Sequence, residues 1–252
     1  MSQFDYSQIP PGYYDEVAHG GNPIRRCWHL EKFERVLDCL PATPGQSLLD
    51  IGCFAGTFLA MLPEQQFCRQ LGVDILPPQI TYANEHYGTP FRQFQPIASL
   101  ADLPKLDGPF DCITLIEVIE HLNHDHIREL LAGVASLLKP GGSFVLSTPN
   151  YCSTWPILER ILNRLSDVSY EEQHLTRFTF FNFWRKLCAI CPEASQLFRL
   201  QFRTTTHFLS PFLAWVNLDW ACRISRTVPH RHWHFPFGNL VLMELVRTDQ
   251  AV

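Results

Sequence analysis

Ser47-Leu48-Leu49-Asp50-Ile51-Gly52-Cys53-Phe54-Ala55-Gly56 is the stretch that decides the fold of this chain. Its apolar run closes on Asp-x-Gly, the pattern of a buried parallel strand running into a turn. Glycine in such a turn lets the backbone approach a ligand and lets the next helix pack closely. Downstream the same rhythm repeats. Thr57 to Leu62 reads as a helix, and Leu71 to Ile75 as a strand ending on a second acid, Asp74. Pro77 to Tyr87 reads as a helix, Phe91 to Phe94 as a weak strand and Cys112 to Ile116 as a strong one. Asp125 to Leu138 reads as a helix stopped by Lys139-Pro140-Gly141-Gly142, with a strand over Ser143 to Ser147. Upstream, Leu30, Phe33, Leu37 and Leu40 recur at helical spacing over residues 30–40. Strands alternating with helices predict an α/β domain with a mostly parallel sheet.

The alternation lapses after residue 148. Residues 149–175 read as an insertion, Thr179 to Cys191 as a helix, and Leu197 to Phe208 and Gly238 to Val246 as two late strands. Between those strands lies an aromatic, proline-interrupted stretch, Leu209 to Phe237. The chain therefore divides into a helical lead-in (1–46), a ligand-binding core (47–150), and a region of cap insertions plus two last strands (151–252), all within one domain.

Composition narrows the function classes. With 252 residues, 46% hydrophobic and a net charge of -5, the chain is long and apolar enough for a full core, and disorder is excluded. No stretch supplies the ~20 apolar residues of a spanning helix; Phe208 to Cys222 is broken by Asn217 and Asp219. The polar segment Met1 to Pro11 lacks the apolar centre of a signal peptide. Nine scattered cysteines, an odd number, fit reduced thiols and a cytoplasmic location. Charge is uneven, because residues 199–252 carry six Arg against three acids. No long basic run exists, so nucleic acid is a disfavoured partner. Phe212, Trp215, Trp220 and Arg223 suit an ordinary cap helix first, and otherwise a lid over an apolar substrate or peripheral contact with a membrane surface through residues 209–226.

Open α/β sheets bind ligands at the carboxyl ends of their strands, where strand order reverses. Asp50 and Asp74 stand at two such ends. A dinucleotide site would need Gly-x-Gly-x-x-Gly, and Phe54 breaks that spacing, which leaves a nicotinamide-linked oxidoreductase a distant alternative. An acid directly before the turn repels a pyrophosphate and suits a cationic ligand, such as the sulfonium and ammonium of S-adenosylmethionine. Leu48 to Gly56 resembles motif I of the class I S-adenosylmethionine-dependent methyltransferases. Leu71-Gly72-Val73-Asp74-Ile75 resembles their second motif, Phe110 to Leu122 the fourth-strand motif, and Leu137-Leu138-Lys139-Pro140-Gly141-Gly142 the turn before strand five. The resemblance is strongest to the ubiquinone-pathway-like O-methyltransferases and covers about residues 30–150. It implies a Rossmann-like, seven-stranded, mostly parallel sheet with helices on both faces and a C-terminal cap.

The resemblance also implies roles. Asp50, Gly52, Cys53 and Gly56 would line the methionine part of the cofactor, Asp74 would bind the ribose and Ile75 the adenine. Ala98 would touch the adenine edge, and Ile116 and Glu117 would lie beside the cofactor. Arg25, in Asn22-Pro23-Ile24-Arg25, would bind the cofactor carboxylate. Phe54 departs from the glycine usual there. For the chemistry, His121 in Glu117-x-x-Glu120-His121 and His174 are candidate bases for an acceptor hydroxyl. Alternatively Glu117, Glu120, His121 and His174 bind a divalent metal, as in small-RNA 2′-O-methyltransferases, or Glu120 and His121 only cap the loop. The expected reaction is O-methylation of a small or lipid-like molecule, leaving S-adenosylhomocysteine. A metal-dependent RNA 2′-O-methyltransferase and a non-catalytic scaffold are the alternatives. Cys188-x-x-Cys191 reads as two ordinary thiols, His230-Arg231-His232-Trp233-His234 as a surface loop, and His124 and His126 as solvated.

Overall fold

The chain begins with α1 (Tyr13–His19) and α2 (Pro23–Leu37) and then enters β1 (Ser47–Ile51). There follow α3 (Thr57–Ala60), β2 (Arg69–Asp74), α4 (Pro77–Tyr87), β3 (Arg92–Pro96), β4 (Phe110–Ile116), α5 (His124–Leu137) and β5 (Leu138–Pro149). The last part holds α6 (Trp155–Leu165), α7 (Phe183–Ile190), α8 (Ala194–Leu197), β6 (Phe198–Thr206), α9 (Ser210–Val216), α10 (Leu218–Thr227) and β7 (Leu240–Arg247). This computed structural model describes residues 9–20, 22–41, 43, 45–165, 174–208, 210–227 and 235–249.

The sheet has seven strands in the order β3-β2-β1-β4-β5-β7-β6. β1 to β5 pair in parallel, and β7 runs antiparallel to both β5 and β6. Every residue of β1 is buried, Ser47 and Asp50 included, as a central parallel strand requires when helices cover both faces. One face packs against α5 and α7 through Ile127, Leu130, Val134, Phe183 and Leu187. The other packs against α2, α3 and α4 through Val36, Phe58, Ile80 and Ala83. The chain winds outward from β1 to β3 and returns to β4 beside β1, which opens a crevice at the carboxyl ends of β1 and β4.

Several boundaries differ from the sequence reading, each for a local reason. The lead-in helix starts at Pro23 rather than near residue 30, because Asn22 caps it, accepting from Ile24 N at 2.9 Å, and proline suits the first helical position. Lys139 to Gly142 does not separate helix from strand; it is absorbed into the start of β5, where the pairing with β4 shifts register. The helix read from Thr179 starts at Phe183, because Thr179 and Asn182 close a turn on each other at 2.8 and 3.1 Å. The insertion carries α6, an amphipathic helix that the sequence reading did not single out.

The stretch read as the second part of the cap folds as α9 and α10 and rests on α2, through Ala214, Ala221 and Cys27. Its outer side exposes Phe212, Val216, Trp220 and Ile224, spaced four apart. Among the described residues no helix is long and apolar enough to cross a membrane. Cys188 and Cys191 are free thiols, and His124 and His126 are exposed. His230 to His234 lies outside the described residues. At the other end of the chain, Asp15 of α1 is buried and accepts hydrogen bonds from Thr57 (2.8 Å), Tyr82 (3.0 Å) and Tyr87 (2.7 Å). That clamp holds α1 against α3 and α4, over the first glycine turn.

Candidate active site

The crevice has two walls. The first is built from backbone. Gly52 and Cys53 turn away from β1 by donating to the Val73 carbonyl at 2.8 and 3.1 Å. Gly52 has φ +77°, and a side chain there would collide with Val118; Gly56 has φ +81°, with Phe94 2.7 Å from where a Cβ would sit. Phe54 takes the left-handed region too, at φ +48°. Its ring turns away onto Tyr14, 5.0 Å between centroids. Its N–H donates to Asp74 Oδ2 at 3.0 Å, while Leu76 N–H donates to Oδ1 at 2.9 Å. Asp74 is thus fixed by backbone on both oxygens, each with a lone pair left for a ligand. Burial raises its pKa against the opposing hydrogen bonds of Phe54, Leu76 and Ile75. Ile75 beside it is 54% exposed and offers an apolar shelf.

The other residues read as cofactor contacts lie as follows. Asp50 is buried under the turn and accepts from Thr114 Oγ1 at 2.7 Å; burial and the Asp74 charge push its pKa up to about 7. Cys53 is buried against Gly72, and burial raises its thiol pKa. Ala98 is exposed, its N–H donating to Asp102 Oδ2 at 3.0 Å. Arg25, in the first turn of α2, donates from Nη1 to Tyr13 Oη at 2.8 Å. Ile116 is half-buried at the end of β4. A glycine turn with no room for side chains, a fixed carboxylate and an exposed apolar shelf fit the backbone approach, ribose and adenine of S-adenosylmethionine.

The second wall is built from side chains. Glu117 follows β4 with φ +52°. Its carboxylate pairs with the Lys32 ammonium and accepts from Trp28 Nε1 at 3.2 Å. Burial would raise its pKa, but Lys32 overrides that and brings it down to about 2. Glu120 is fully enclosed and accepts from Thr148 Oγ1 at 3.0 Å; burial pushes its pKa up to about 7. His121 and His174 stand with ring centroids 5.1 Å apart. Trp155 lies 6.2 Å from His174 and 5.1 Å from Trp28, which lies 4.3 Å from His207, so aromatic rings line this side continuously. Burial and the Lys32 charge hold His29 well below the ordinary imidazole range.

One donor atom each from Glu120, His121 and His174 lies within 4.8 Å of the others. The four-ligand set read from sequence therefore loses a member: Glu117 is engaged by Lys32 and Trp28 instead. The sequence reading missed Trp28, Lys32, Tyr151, Trp155, Glu159 and His207. Trp28 and Lys32 are four apart and so share one helix face, a signal available in the sequence once the helix is started at Pro23. Glu159 and His207 carry no comparable signal, since both depend on packing between distant elements.

With this geometry in view, comparison with known proteins is decisive for the family. A family model described as a methyltransferase domain matches residues 27–189, more than half of the chain. The chain belongs to that family, within the class I S-adenosylmethionine-dependent methyltransferases. It is 29% identical over 167 residues to a ubiquinone biosynthesis O-methyltransferase of Albidiferax ferrireducens, covering 63% of this chain and 62% of the relative. It is 33% identical over 132 residues to a tRNA U34 carboxymethyltransferase of Syntrophotalea carbinolica, covering 51% of this chain and 40% of that protein. The methyltransferase thus spans less than two thirds of these relatives' lengths. Magnesium protoporphyrin IX methyltransferase from Synechocystis, solved with S-adenosylhomocysteine, shares the fold, with TM-score 0.60, 18% identity, and 93% of each chain covered.

Proposed function

We propose that this methyltransferase transfers a methyl group to a hydroxyl of a small or lipid-like acceptor, with His121 and His174 beside the acceptor oxygen. The observation that carries the reading is the pairing of the two imidazoles, 5.1 Å apart, in an aromatic-lined recess at the carboxyl end of β4. Asp74 would hold the ribose, Ile75 the adenine, the Gly52–Gly56 turn the methionine part, and Arg25 the carboxylate. Bound there, S-adenosylmethionine supplies an electrophilic methyl on a sulfonium. The rest of the work belongs to the chain: it aligns the acceptor in line with that methyl, excludes water and takes the hydroxyl proton. Trp28 and Trp155 exclude water. A neutral imidazole takes the proton. The lipid-like acceptor draws support from the exposed apolar side of α9 and α10, which would rest on a membrane surface.

A second reading is favoured by the three gathered donors. Glu120, His121 and His174 would hold a divalent cation, an oxygen-and-nitrogen set suited to Mg²⁺, Mn²⁺ or Zn²⁺, which would polarise the acceptor oxygen. Calorimetry with S-adenosylhomocysteine and turnover of methyl-labelled S-adenosylmethionine on catechol and simple phenols test both. Cofactor binding with methylation that survives exhaustive chelation supports the histidine base. Methylation lost on chelation and restored by Mn²⁺ supports the cation. Absent cofactor binding overturns both.

A further inference from the structure

We propose that Glu159, on α6, is a positioning residue that holds the proton on His174 Nδ1 and so reserves Nε2, with its lone pair, for the recess. The inference rests on His174 acting there, as base or as ligand, and adds the group that sets its state.

His174 Nδ1 lies 2.7 Å from Glu159 Oε1 and 2.7 Å from Tyr151 Oη, and Tyr151 Oη lies 2.8 Å from the same Oε1. All three groups are mostly shielded, and Glu159 is only 4% exposed. An ionised carboxylate is an acceptor only. Two lone pairs cannot face each other at 2.7 Å, so a proton lies between Nδ1 and Oε1. Two polar groups within 2.8 Å of one carboxylate oxygen suit its ionised form. The consistent assignment has Tyr151 O–H and His174 Nδ1–H both donating to Glu159. Neutral His174 is then the Nδ1–H tautomer. A carboxylate behind an imidazole fixes tautomer and ring orientation in the same way around metals and in hydrolytic triads.

The helix that bears Glu159 belongs to the insertion, outside the family's cofactor-binding motifs. The insertion thereby reaches into the chemistry by setting which nitrogen is available.

Nitrogen-15 NMR of histidine-labelled full-length protein above pH 8, with His174→Gln to assign the signal, reads the tautomer directly. The wild type is expected to show a protonated Nδ1 and a bare Nε2. In Glu159→Leu the Tyr151 hydroxyl is left to donate to Nδ1, and the ratio should shift towards the Nε2–H form by about tenfold or more, the worth of the lost hydrogen bond to the charged carboxylate. Glu159→Gln, whose amide oxygen still accepts, should keep the wild-type tautomer. S-adenosylhomocysteine affinity should stay unchanged in both variants and reports that the fold is intact. A wild-type Nε2–H tautomer, or a ratio unmoved in folded Glu159→Leu, overturns the inference. Because the wild-type spectrum alone is decisive, a variant that failed to fold would not shield the idea. Absence of methyl transfer by a wild-type protein with the expected tautomer would count against the catalytic reading and leave this assignment standing.

Discussion

Asp74 on one wall of the crevice and the glutamates on the other are held by opposite means. Asp74 is held by the backbone N–H groups of Phe54 and Leu76. Glu117, Glu120 and Glu159 are held by side chains: Lys32 and Trp28, Thr148, and His174 with Tyr151. A backbone donor is placed by strand register and turn geometry, so its position depends little on which side chains surround it. A side-chain donor is placed by how one helix packs on another, so a single substitution can remove it. The contrast fits a family in which one methyl donor serves many acceptors.

The largest expected effect tests the acceptor wall. His174→Ala should lower turnover of labelled S-adenosylmethionine by roughly 10²–10⁴-fold, the range for a lost general base, with S-adenosylhomocysteine affinity unchanged in calorimetry. A parallel loss of both would mean that the walls are not separable. Next, Asp74→Ala should weaken S-adenosylhomocysteine by about 10²-fold, as expected for losing roughly 3 kcal/mol of hydrogen bonding to a charged acceptor. Calorimetry again gives the answer, and unchanged affinity would remove the ribose assignment.

The third prediction concerns acids raised by burial. Asp50 is pushed up to about 7. Between the ordinary carboxylate range and pH 7 the folded chain keeps this proton while the unfolded chain has lost it. Stability therefore falls as pH rises through that window and levels off above it. Asp50→Asn keeps an acceptor for Thr114 and removes the titration. Denaturant unfolding of ligand-free protein should show it about 1–3 kcal/mol more stable than wild type at pH 8, with the advantage shrinking towards pH 4. Glu117, lowered to about 2, behaves oppositely: its contribution is present above the ordinary carboxylate range and is lost as pH falls towards 2. The smallest effect is at the periphery. Trp220→Ala should reduce flotation with anionic vesicles by a few-fold, and wild-type protein that never floats would remove the membrane contact.

What the sequence made legible follows the same division. The β1 turn, the acid ending β2 and the Glu117-x-x-Glu120-His121 segment are local, because strand period and turn chemistry fix them within ten residues. The two late strands were legible too, whereas the order of the seven strands and the antiparallel direction of the last came only with the structure. Lys32 was invisible as a partner for Glu117, 85 positions away. Glu159 went unseen as a partner for His174 because the insertion was not read as a helix, although Trp155, Leu158, Leu162 and Leu165 recur at helical spacing. Phe54 stood as a departure from the motif, yet its backbone does what the usual glycine would, and its ring leaves the crevice for Tyr14.

Trp28 and Trp155 meet at 5.1 Å with rings tilted by 34°, one from the lead-in and one from the insertion. Neighbouring indoles absorb as a coupled pair, so their circular dichroism in the near ultraviolet reports the distance between them. The protein thus carries its own optical gauge of the recess, one that reads any change in the spacing of lead-in and insertion without a label being attached.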